Sequence, residues 1–242
     1  MLKCWTKDCI KCCTLHLRPV PAFIVWNDLY DFEDVNLLSM KYSRQDFFAA
    51  LVPGNFKGKE VTLSESIGDE ELQIAKDNFR QAVNTLLRPG KWNDIAGGAK
   101  FSIRGDNKSE EVLYEKDFIR IDIPGPGPSN GDGYDWVVVE KIIDQSEDEE
   151  FPAVGLLLKA SADPDSTNNQ SAHFFAEGAS STIVIFRESN KIIAQYFGRN
   201  EEPNIHTDSI ITNIRNTMVA AGAMLGLSEV QWSALLKGLL NK

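Results

Sequence analysis

All four cysteines of this 242-residue chain, Cys4, Cys9, Cys12 and Cys13, fall within the first thirteen positions, and His16 stands just behind them. No further thiol is available downstream. Everything after the Pro19-Val20-Pro21 break must therefore fold on hydrophobic packing, without a disulfide or a thiolate-held metal. With 43% apolar residues over this length, the chain has enough material for a full core.

Residues 1–18 are locally basic, with Lys3, Lys7, Lys11 and Arg18 against Asp8, and read as a separate arm. The arm spells C-x4-C-x2-C-C-x2-H. Zinc takes four ligands in a tetrahedron, and Cys4, Cys9, Cys12 and His16 can supply them, with Cys13 able to replace one thiolate. Against one structural zinc stands the absence of glycine from residues 1–18, since short knuckles use glycine to turn the backbone around the ion. Free thiols, a disulfide, lipidation or a redox role are the other readings of the cluster. Cys12 and Cys13 are adjacent and pair poorly with each other. The opening Met-Leu-Lys-Cys lacks the apolar stretch of a secretory signal, so the expected setting is the cytoplasm, where clustered cysteines stay reduced.

A net charge of −10 and a pI near 4.9 argue against a general binder of nucleic acid backbone and favour a protein partner with a basic face. The longest apolar runs fall far short of the roughly 20 residues that span a bilayer.

Along the chain, Ser43 predicts the cap of a short helix that Pro53-Gly54 ends. From about Asp69 to Leu87, Leu72, Ala75, Phe79, Ala82, Val83, Leu86 and Leu87 recur at helical spacing. Asp69, Glu70 and Glu71 complement the dipole at its start. Beyond Gly97-Gly98 the period turns strand-like: Phe118 to Ile123 alternates, Trp136 to Ile143 and Val154 to Lys159 follow, and Ser189-Asn190 joins Thr182–Arg187 to Ile192–Phe197 as a hairpin. Ile210, Ile211, Ile214, Met218, Ala221 and Leu225 then form a helical stripe. Ser228 and Gln231 make a capping box for a last helix.

These signals predict an α+β fold: an antiparallel sheet or small, partly open β-barrel of about five strands over residues 100–198, flanked by N-terminal and C-terminal helices. The expected organisation is the arm at 1–18, a mainly helical, aromatic-rich segment at 19–95, an antiparallel β region at 96–204, and helices at 205–242 that pack on the sheet. Residues 19–242 are expected to form one compact unit.

The loop from Pro124 to Gly133 contains three prolines and no Lys or Arg, which disqualifies it as a phosphate cradle. As a stiff recognition loop it would present Asp132, with Tyr134 and Trp136 as aromatic anchors at its base. In the polar stretch Phe197 to Asn204, Gly198 and Asn200 suit left-handed turns, and Arg199 suits an acidic neighbour or a partner. The run Glu147-Asp148-Glu149-Glu150 is either a solvated loop or an electrostatic lure for a basic partner.

The expected function is thus a non-catalytic protein-binding module, such as an adaptor, a chaperone or an acidic inhibitor of a basic protein, with Tyr134, Trp136, Asp132 and Arg199 at the contact. One alternative is a metal-dependent hydrolase using His173, Glu177 and His206, a two-histidine, one-carboxylate set. Another is nucleic acid contact through the basic arm. Serine hydrolase chemistry lacks its G-x-S-x-G elbow, and Asp163 to Asn169 departs from the EF-hand pattern at its sixth and twelfth positions.

Overall fold

A computed structural model describes residues 41–104, 111–122, 134–166, 175–203 and 229–241. They belong to a unit that spans Met40–Lys242. The elements run α1 (Arg44–Leu51), β1 (Lys59–Gly68), α2 (Leu72–Leu86), a 3-10 helix at Pro89–Asp94, β2 (Lys100–Ile103), β3 (Phe118–Asp122), β4 (Asp135–Gln145), β5 (Ala153–Ala160), β6 (Ser180–Glu188) and β7 (Lys191–Glu201). Residues 229–239 form a further helix, α3.

The α+β class holds, with two corrections to its detail. Among the described residues the sheet has seven strands, all antiparallel, in the order β1-β7-β6-β5-β4-β3-β2, and is open, with β1 and β2 at its edges. The strands also begin well before residue 100: β1 lies inside the segment expected to be mainly helical. It folds as a strand because Val61, Leu63 and Ile67 alternate with polar residues and pair in register with β7 over Val61–Gly68.

The main core lies between one face of the sheet and α2, the 3-10 helix and α3. From α2 it takes Phe79, Ala82, Val83 and Leu86, the stripe read from their spacing. From α3 and the turn that follows it takes Leu235, Leu236, Leu239 and Leu240. Strand β5 is buried on both faces: Val154, Leu156 and Leu158 join this core, while Ala153 and Leu157 join a second one. A strand sealed on both sides needs no polar alternation, which explains the continuous apolar run.

The second core belongs to α1. Eight residues are too few for a helix to stand alone in water. What holds α1 is burial of Phe47 and Leu51, worth about 2 kcal/mol each, and an edge-on aromatic cluster in which Phe47 meets Phe151 at 5.5 Å and Phe48 meets Phe186 at 5.9 Å. Ser43 caps the helix by accepting from the Asp46 N–H, as its sequence predicts. At the other end Thr182 Oγ1 donates to the Leu51 carbonyl at 2.9 Å. Gly155 permits the approach, because a Cβ there would overlap Leu51 Cδ1 and stand 3.2 Å from the Phe47 ring.

Candidate functional site

The densest cluster of buried polar groups among the described residues sits where β7 ends, between β1, β6 and α3. On the core side, Tyr196 Oη is 3.0 Å from Ser181 Oγ and donates to Glu201 Oε1 at 3.0 Å. The Trp232 ring of α3 stacks on the Tyr196 ring at 4.7 Å and 18°. Gly198 makes room for the carboxyl, since a Cβ at that position would overlap Glu201 Oε1. Burial raises the pKa of Glu201, and burial together with the Glu201 charge pushes Tyr196 well up. Lys59 reaches the same corner and pairs with Glu229 at the start of α3.

Arg199 is only 7% exposed. Its Nη1 donates to the carbonyls of Val61 and Gly198, each at 2.8 Å, and Nη2 pairs with Glu60 at 3.1 Å. The guanidinium thus fastens the end of β7 to β1.

Asn200 does something different. Its φ of +57 is unusual for a residue with a side chain. In that conformation its Oδ1 accepts from the Phe56 N–H at 2.8 Å and the Lys57 N–H at 3.3 Å, its Nδ2 donates to the Gly54 carbonyl at 3.2 Å, and its own N–H donates to Asn55 Oδ1 at 2.7 Å. Lys57 adds an ion pair to Glu202 at 3.0 Å. Gly58, at φ +62, closes the loop against Glu201, where a Cβ would press on the backbone. The loop 54–58 is therefore held at its backbone, yet the side chain it carries, Phe56, is 89% exposed.

The residues singled out from sequence are scattered over the described structure. Trp136 is 7% exposed at the start of β4, and its indole Nε1 has no hydrogen-bond partner among the described residues. Tyr134 just ahead of it lies under the Arg120 guanidinium at 4.5 Å. Both are separated from Arg199 by β5 and β6, so these residues form no single surface. Asp132 lies outside the described residues, as do Cys4, Cys9, Cys12, His16, His173 and His206. Glu177 is exposed in a turn before β6, and residues 175–179 make an isolated bridge and a turn. Among the described residues, no three His, Cys, Asp or Glu side chains are placed to hold a metal ion. No helix among them is long and apolar enough to cross a membrane.

No protein-family model matches the chain, and no curated protein matches it. Among solved structures it is similar to a hypothetical protein from Helicobacter pylori, with 8% identity, a TM-score of 0.38, and coverage of 74% of this chain and 87% of that one. A START superfamily protein from Mycobacterium smegmatis matches with 11% identity and a TM-score of 0.35, over 75% of this chain and 99% of that one. A conserved protein from Geobacillus kaustophilus gives 14% identity and a TM-score of 0.36, over 76% and 96%. At these identities and scores the likeness transfers no ligand or activity to this chain.

Proposed function

We propose that the protein is a non-catalytic, cytoplasmic protein-binding module, and that Phe56 is the anchor it inserts into an apolar socket on its partner. One observation carries this reading. A phenylalanine that is 89% exposed stands on a loop whose backbone is clamped by Asn200 at φ +57. A lone exposed apolar side chain needs no explanation, but one held on a strained, multiply bonded support is different. Strain of this kind persists where the surrounding structure enforces it, and clusters at functional positions. A loop ordered before binding loses less entropy on docking, and aromatic side chains dominate interface energetics once buried. The charge of −10 supports a partner with a basic rim around that socket.

The test is affinity isolation from the native host with the full chain and with Phe56→Ala, both checked for an unchanged melting transition. The expected result is a partner recovered by the wild type and lost with Phe56→Ala. Recovery of the same partners by both proteins, or of none by the wild type, counts against the proposal.

A further inference from the structure

A groove of about 560 Å³ runs between α2, the β4–β5 turn and the β6–β7 hairpin, and its size falls within the range of ligand sites. Its lining carries both signs of charge. Lys76 and Arg80 come from α2 and Arg187 from β6, and Glu147, Asp148 and Glu149 come from the turn.

Among the described residues, most of these charges have no ion-pair partner. Asp148 has one: it pairs with Lys41 at 2.8 Å and accepts the N–H groups of Glu150 and Phe151, and these contacts, the Lys41 hydrogen bond first, hold its carboxyl below its usual value. It shapes the turn. Arg80 shares an exposed pair with Asp77 at 3.2 Å. No ion pair joins Glu147, Glu149 or Lys76 to another described residue. Arg187 donates through Nη1 to the Ser189 carbonyl at 2.7 Å, while its Nε is buried without a hydrogen-bond partner among the described residues. An N–H left in that state costs about 1–3 kcal/mol.

We propose that this groove binds a peptide segment of a partner protein that carries one basic and one acidic side chain. The basic group meets Glu147 and Glu149, and the carboxylate meets Arg187 with Lys76. A segment of a single charge sign would be attracted by one set of lining charges and repelled by the other, so the mixed lining favours a dipolar ligand. Leu72, which is half exposed, gives the peptide an apolar surface to lie against. This contact does not depend on Phe56, and either can fail alone.

The test is an NMR titration of the full chain with acetyl-Lys-Leu-Glu-amide, beside acetyl-Lys-Leu-Lys-amide and acetyl-Glu-Leu-Glu-amide. The mixed peptide is expected to shift the amides of Lys76, Arg80, residues 147–149, Arg187 and Ser189 at millimolar concentration, and the single-sign peptides to bind more weakly. Glu147→Gln with Glu149→Gln, and separately Arg187→Ala, should each weaken the mixed peptide about two- to fivefold, the scale of an exposed charge pair. The glutamates are exposed, so their replacement leaves the fold intact. Absence of shifts at the groove, equal response to all three peptides, or unchanged affinity in the glutamine double variant would overturn the proposal.

Discussion

The Tyr196 hydroxyl donates to Glu201 Oε1 at 3.0 Å within β7, and the carboxyl it meets is only 4% exposed. Burial is the leading cause of the raised Glu201 pKa, opposed by the Tyr196 hydrogen bond and by Lys59 and Arg199, and reinforced by Glu229. The folded state therefore binds this proton more tightly than the unfolded chain, whose carboxyl titrates near the usual 4.5. Stability from Glu201 is complete below that value and is lost as the pH rises through the raised folded value. Glu201→Gln keeps an acceptor for Tyr196 and removes the titration. Urea melts across this pH window should show a downward slope in the wild type that is flatter in the variant. Parallel pH profiles would contradict the assignment.

Asn200 gives a separable backbone test. Asn200→Gly removes the side-chain clamp but accepts φ +57, whereas Asn200→Ala removes the clamp and adds a Cβ in the left-handed region. Both should destabilise, and alanine more than glycine by about 1 kcal/mol. Denaturant midpoints would measure the gap. Amide exchange at Phe56 and Lys57 should quicken in both variants, because the clamp acts on those N–H groups.

At Gly155 the expectation concerns α1. Gly155→Ala should cost about 1–3 kcal/mol through overpacking against Leu51 and Phe47. Adding Leu51→Ala to Gly155→Ala should cost less than Leu51→Ala costs in the wild type, since the new methyl fills part of the vacated space. Strict additivity in that cycle would contradict the packing described.

What the sequence made legible was local. The stripe of Phe79, Ala82, Val83 and Leu86 announces α2, Ser43 announces α1, and Ser189-Asn190 announces the β6–β7 hairpin, since each signal is carried by near neighbours. Strand β1 was missed although Val61, Leu63 and Ile67 alternate. Glu65 interrupts that row, and the strand's partner β7 lies more than a hundred residues away. The polar end of β7 drew notice, and Asn200 does adopt the left-handed conformation its type suggested. Gly198 matters instead for the space it leaves Glu201. Phe56 gave no warning: a phenylalanine between Gly54 and Gly58 reads the same whether buried or bare, and only the distant Asn200 decides which. Arg199 was read as suited to an acidic neighbour, and its carboxylate is Glu60 on the neighbouring strand.

Photocrosslinking from position 56 tests the central claim most directly. A benzoylphenylalanine replaces Phe56 in the full chain within the native host, with the same probe at exposed Tyr114 as the reference. The expected result is a discrete adduct with another protein from position 56 and none of that mass from position 114. Adducts of the same pattern from both positions, or none from position 56, would contradict a Phe56-anchored binding module.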